Sequence, residues 1–90
     1  MLTLTGRLIC TTDEQAASVR AHIADHIRLT RAEPGCVSFS VVPTSDPMVW
    51  QVDETFADRA AFDAHQRRTA SSEWAQATQG IKRDFTLHEA

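Results

Sequence analysis

Hydrophobic and polar positions repeat with a period of two or of three to four along almost the whole chain, and each change of period marks an element. From Leu2 to Cys10, Leu2, Leu4, Gly6, Leu8 and Cys10 share one face, while Thr3, Thr5, Arg7 and Ile9 share the other. That alternation predicts a strand. Gly6 removes a side chain from its middle, which points to a bulge or to another group lying close to the backbone. Thr11 and Thr12 each stand three residues before an acid or amide, the spacing of a capping box. Beyond them Ala16, Val19, Ile23, Ile27 and Thr30 form one stripe of an amphipathic helix, with Gln15, Arg20 and Arg28 away from it. Pro34 and Gly35 end that helix.

Cys36 to Val42 alternates again, placing Val37, Phe39 and Val41 on one face. Pro43 to Pro47 has turn composition. Met48 to Phe56 then directs Met48, Trp50, Val52, Glu54 and Phe56 to one side, and the two segments predict a hairpin. Asp58 caps a second helix, Arg59 to about Arg68, with Ala61, Phe62 and His65 on its inner face. Thr69 or Ser71 opens a short third helix carrying Trp74, Ala77 and Thr78, which Gly80 closes. Ile81, Arg83, Phe85 and Leu87 alternate with Lys82, Asp84, Thr86 and His88 in a last strand. The order β-α-β-β-α-(α)-β is that of an α+β, ferredoxin-like sandwich: a four-stranded antiparallel sheet with its helices on one face. Residues 1–90 form one domain. Apolar groups on the uncovered face predict a homodimer joined through the sheet faces.

Composition narrows the function classes. A 90-residue chain with 42% hydrophobic residues buries about 60–65% of its unfolded surface, so its core is thin. Nine Lys+Arg against twelve Asp+Glu give a net charge of −3, with the basic residues scattered; a nucleic-acid partner is not expected. The pairs Arg67-Arg68 and Lys82-Arg83 read as solvated surface. No apolar run is long enough for a membrane span, and the first residues lack a basic n-region, so a cytoplasmic protein without a membrane partner is expected. Cys10 and Cys36 fall at opposite ends of the predicted sheet and read as buried thiols.

The chemistry-bearing stretch is Trp50-x-Val52-x-Glu54-x-Phe56-x-Asp58-x-x-Ala61-Phe62-x-x-His65. A carboxylate among apolar neighbours on an inward face requires a partner. His65, one helical turn beyond Phe62, is placed to accept a hydrogen bond from or donate one to Glu54, which would fix its tautomer and raise its pKa. That pair serves either as a general base at the end of an apolar pocket or as a strut between helix and sheet. Trp50, Trp74, Phe39 and Phe62 can line a slot for a flat aromatic ligand or simply fill the core. His22 and His26 stand four residues apart, a metal-sharing spacing. The intervening Ile23-Ala24-Asp25 does not make a metalloprotease motif, and no third ligand accompanies them. No metal is expected, and His26 is assigned to the pocket edge. Nucleotide-binding glycine loops and nucleophile elbows are absent, so an enzyme of this kind must draw much of its chemistry from the substrate.

These residues resemble the antibiotic biosynthesis monooxygenase family of small ferredoxin-like dimers, which includes quinol monooxygenases. The resemblance covers nearly the whole chain. It rests on Glu33-Pro34-Gly35-Cys36 with Phe39, on Trp50, Glu54 and Phe56, and on Ala60-Ala61-Phe62-x-x-His65. It implies a dimeric α/β barrel and a cofactor-independent monooxygenase that oxidises a small phenolic or quinol-like aromatic with O2. On that basis His65 is the catalytic proton acceptor, Glu54 the group that orients it, and Trp74 an aromatic contact to the substrate; Trp50, Phe39, Phe62 and His26 are added as substrate contacts from the slot and pocket edge read above. Two departures set limits. The chain has no tyrosine, so the asparagine, tyrosine and tryptophan set of some polyketide-modifying members is not carried over. Thr5-Gly6-Arg7 stands where haem-degrading relatives have an asparagine, which weakens a haem-binding or haem-degrading reading. The alternative is a non-catalytic dimer of the same fold that binds a small ligand or a partner.

Overall fold

The computed structural model describes residues 1–90. Its elements are β1 (Leu2–Ile9), α1 (Asp13–Arg31), β2 (Cys36–Pro43), β3 (Val49–Phe56), α2 (Arg59–Ala70), α3 (Glu73–Ala77) and β4 (Lys82–Glu89). Local chemistry sets the starts of the helices. Thr12 accepts a hydrogen bond from the Gln15 amide at 3.1 Å, and Gln15 Oε1 accepts one from the Thr11 amide at 2.7 Å; together they close the expected box. Asp58 caps α2 through the Ala61 amide at 2.8 Å. α2 runs further than its pattern predicts, to Ala70, so Thr69 is helical and Ser71 ends that helix. Ser72, rather than Thr69 or Ser71, caps α3.

The sheet order is β2-β3-β1-β4 with every neighbouring pair antiparallel. The helices lie against one face, as the ferredoxin-like order requires. Leu2, Leu4 and Leu8 of β1, Phe39 and Val41 of β2, and Trp50, Val52 and Phe56 of β3 are buried beneath Ala16 and Val19 of α1, Phe62 of α2 and Trp74 of α3. Fourteen apolar residues make this core, and His26, Thr30, Glu54, His65 and Thr78 are buried alongside them. So large a polar share in so small an interior locates the region to inspect for chemistry.

One strand departs from strict alternation. Cys36 pairs with Phe56 and Ser38 with Thr55, so an extra residue is inserted between them. The bulge reverses the parity of β2 at that point and leaves Val37 58% exposed, not inward beside Phe39 and Val41. Both cysteines are free; Cys10 is buried and Cys36 half-buried, at opposite ends of the sheet. The uncovered face is mostly polar. Thr5 donates to Asp53 there at 2.7 Å, and Ile9, Val42 and Val49 add apolar area along one end. No helix is long and apolar enough to cross a membrane.

Two glycines are sites of close approach. A Cβ on Gly6 would lie 2.1 Å from the backbone oxygen of Asp84, and one on Gly35 would lie 2.2 Å from Cβ of Ala61. The first lets β4 pair closely with β1; the second lets the turn after α1 press against α2. Gly6→Ala is expected to cost about 3 kcal/mol or more, because backbone rather than a side chain must give way. Gly80, at φ +84° with open space around it, should cost about 1–2 kcal/mol on the same change, from left-handed strain alone. Urea unfolding of the two variants checks this; equal losses would contradict it.

Candidate active site

Four elements converge on one side of the sheet. β3 presents Glu54 inward between Val52 and Phe56, opposite Leu4 of β1 and Phe39 of β2. α1 presents His26 within its buried stripe, between Val19 and Thr30, rather than at the edge of it. α2 presents His65 one turn beyond Phe62. α3 brings Trp74 to the same place. Together they border a cavity of about 80 Å³ whose other walls include Val41, Val52 and Phe85. Phe39 is part of that wall. Trp50 and Phe62 are not: Trp50 lies beside Leu8 and Pro43, nearer the start of β3, and Phe62 packs edge-on against Phe56 with ring centres 5.7 Å apart. Both fill the core instead of the cavity.

His65 is surrounded by aromatic rings and held by a carboxylate, though not the one its sequence neighbours suggest. Its ring centre lies 4.9 Å from that of Phe56 and 5.8 Å from that of Phe39. Nδ1 is 2.8 Å from Glu33 Oε1, in the turn after α1. The other Glu33 oxygen accepts from Arg68 Nε, and Arg68 also donates to Thr30 Oγ1 at 3.0 Å. Nε2 points toward the sheet, 3.9 Å from Glu54 Oε1. That separation is beyond a hydrogen bond. The direct Glu54–His65 bond expected from the sequence is therefore not formed, because the turn after α1 brings a carboxylate closer to the ring than the sheet does. Glu33 carries a signal in the sequence, as the first residue of Glu33-Pro34-Gly35-Cys36, but nothing in its spacing links it to His65.

Of the basic pairs, Arg67, Lys82 and Arg83 are exposed as expected and Arg68 is half-buried, but two of the four make specific bonds. Arg68 is tied to Glu33 and Thr30. Arg83 turns its guanidinium to the end of α3, donating to the carbonyls of Thr78 at 3.1 Å and Ile81 at 2.9 Å and to Thr78 Oγ1 at 2.7 Å. Thr78 Oγ1 in turn donates to the Trp74 carbonyl at 2.6 Å. These bonds tie the start of β4 to Thr78, just past the end of α3, and so anchor the segment that carries Trp74.

Burial sets the protonation of the site. His26 is pushed down to about 3, first by loss of water and then by the positive potentials of His65, Arg68 and Arg83. His65 is also lowered, because desolvation outweighs the opposing pull of Glu33. Both imidazoles are neutral near pH 7. Since Glu33 is a carboxylate that also receives Arg68, it accepts from Nδ1–H, and the lone pair of His65 is on Nε2, with the Thr69 hydroxyl 3.5 Å away. Glu54 is pushed up to about 7, by burial and then by repulsion from Glu33. Two buried polar atoms have no partner at all, His26 Nδ1 and Glu54 Oε1, and both residues border the cavity. Such atoms are costly unless something polar meets them. His26 meanwhile lies flat beneath Trp74, with ring centres 4.6 Å apart and planes 4° from parallel.

What the site can do follows from these contacts. It offers a neutral base at Nε2, a carboxyl poised between its charged and neutral forms, and a flat aromatic slot filled by an indole. This is an α+β ferredoxin-like domain with a cluster of buried titratable side chains between sheet and helices. The chain belongs to the antibiotic biosynthesis monooxygenase family, whose model matches residues 1–77. Among solved structures, it is similar to a candidate antibiotic biosynthesis monooxygenase from Nitrosomonas europaea (17% identity, all of this chain and 98% of that one, TM-score 0.85). It is also similar to a candidate of the same kind from Deinococcus radiodurans (25% identity, 100% and 92% coverage, TM-score 0.77). A third is SnoaB, a cofactor-independent oxygenase from Streptomyces nogalater (17% identity, 99% and 91% coverage, TM-score 0.73). No functionally curated protein matches the sequence.

The buried pair gives a pH signature. Glu54 holds its proton in folded and unfolded chains alike below pH 4.5; between 4.5 and about 7 only the folded chain holds it, so its effect is to lower stability as pH rises. His26 acts with the opposite sign between about 3 and 6.5, and the two slopes offset one another where they overlap. Glu54→Gln removes the first slope. Between pH 4.5 and 7 the variant should gain on the order of 3 kcal/mol relative to wild type. Urea midpoints at the two pH values test it, and a constant difference would contradict the assignment.

Proposed function

We propose that the chain is a cofactor-independent monooxygenase that oxidises a small phenolic or quinol-like aromatic with O2, acting as a homodimer joined through its sheet faces. The observation that carries this reading is the neutral His65 Nε2 standing 3.9 Å from the unpartnered Glu54 Oε1 at the wall of a cavity lined equally by apolar and polar residues. A phenolic oxygen between them reaches both. His65 takes the phenol proton, and the electron-rich anion passes an electron to O2. Recombination at a hydrogen-bearing ring carbon ortho or para to the oxygen forms a peroxide, which recovers the proton. Loss of water, using the hydrogen on that carbon, leaves the quinone. Positioning, proton transfer and exclusion of bulk water are the protein's contributions.

Trp74 is the lid. A cavity of about 80 Å³ is smaller than the roughly 150 Å³ that admits benzene, so a ring enters only when the indole leaves His26. The stacked indole supports that exchange, since it shows that the imidazole face accepts a flat aromatic. The same small volume favours a second reading, a dimer that binds a ligand or partner without turnover. It gives no support to haem, whose macrocycle is larger still. The two free thiols fit a reducing cytoplasm.

Oxygen uptake with a panel of quinols, corrected for autoxidation, separates oxygenase from binding protein. His65→Ala should lower the rate by about 10²–10⁴-fold, with folding checked by circular dichroism. An unchanged rate would remove His65 from the reaction. Light scattering at micromolar concentration should give twice the 10.0 kDa chain mass; a monomer would contradict the sheet-to-sheet dimer.

A further inference from the structure

We propose that Glu33 is a positioning residue for this site: it holds His65 in the one neutral tautomer that can act as a base toward the cavity. The inference rests on the oxygenase reading for its effect on rate, but its structural content does not. His65 is nearly fully buried, and its two nitrogens meet two carboxylates in different surroundings. Nε2 faces Glu54, inside the cavity. Nδ1 meets Glu33 at 2.8 Å, and Glu33 together with Arg68 borders an open surface groove of about 470 Å³ on the far side of the ring. The groove stays open because Ala57, Ala60, Ala61 and Ala64 offer only methyl groups there. Glu33 is therefore the carboxylate in contact with water and with a guanidinium, and Glu54 is the one enclosed. An imidazole between two unlike carboxylates is directional.

The geometry of Glu33 makes the direction strict. One of its oxygens is committed to Arg68, which can only donate. The other must accept from the ring, so Nδ1 carries the hydrogen and Nε2 keeps its lone pair. A glutamine at this position cannot keep both bonds unchanged. Its carbonyl oxygen is claimed by Arg68, which turns the amide NH2 toward His65. Nδ1 then becomes an acceptor, the hydrogen moves to Nε2, and the base facing the cavity is lost without any large change in shape. Serine protease logic gives the scale: placing an imidazole in the wrong tautomer there costs about 10⁴ in rate.

Nitrogen-15 NMR of the histidine rings in the ligand-free protein reads the tautomer directly. Wild-type His65 should show a protonated Nδ1 and an unprotonated Nε2 at about pH 7.5, well above the lowered ring pKa, and Glu33→Gln should exchange the two patterns. A wild-type ring protonated at Nε2, or an unchanged pattern in the glutamine variant, would overturn the proposal. Should Glu33→Gln fail to fold, the wild-type spectrum alone decides, and Glu33→Asp provides the conservative comparison, expected to restore the wild-type tautomer. With an active quinol, Glu33→Gln should lower kcat by about 10²-fold or more while KM stays within about threefold. An unaltered kcat would overturn the positioning role. A wild-type protein that consumes no oxygen with any quinol would defeat the oxygenase reading while the spectra still judge the tautomer.

Discussion

Three ionisable side chains, Glu54, His26 and His65, are held away from water in a core built from fourteen apolar residues, and the rest of the site is arranged around the cost of doing so. Desolvation of such groups is expensive, and a protein meets the expense by pairing the charge, by neutralising it or by leaving it unrelieved for a purpose. All three solutions occur here. His65 is paired with Glu33. His26 stays neutral and stacks beneath Trp74. Glu54 has an oxygen with no partner and holds its proton to about pH 7. The unrelieved group stands at the cavity wall, which is where a ligand bearing a hydroxyl would relieve it.

The surrounding bonds secure this arrangement from outside the apolar core. Arg68 links α2 to Glu33 and to Thr30 of α1, and so keeps the ring nitrogens of His65 aimed in opposite directions. Arg83 and Thr78 do the corresponding work just past α3, anchoring the segment that carries Trp74. Neither arginine adds much to the core by burial. What they supply is direction, fixing how His65 and Trp74 are presented.

The fold was legible in the sequence because period and capping chemistry agree along its length. β1, β3 and α1 follow their patterns closely, and Asp58 starts α2 as its spacing indicates. Departures occur where tertiary contacts outweigh local pattern. One bulge residue turns Val37 outward, and α2 runs two residues further, to Ala70, at the expense of the predicted α3 cap. The chemistry was half legible. Glu54, His65, Trp74 and His26 do come together around one cavity, since alternation and helical spacing are enough to place them on inward faces. Trp50 and Phe62 have the same inward placement but lie outside the cavity wall, a distinction that one-dimensional spacing does not contain. Glu33 was hidden for a related reason. It lies in a turn, 32 residues before His65 in the chain, and only the close contact of Gly35 with Ala61 brings that turn against α2.

A crystal structure with an unreactive substituted phenol bound tests the enclosed acid–base site most directly. The ring should occupy the space vacated by Trp74 and lie against His26, with the phenolic oxygen within hydrogen-bond distance of His65 Nε2 and Glu54 Oε1. A phenol bound only in the outer groove, with Trp74 still stacked on His26 and the cavity closed, would contradict that site as the place of reaction.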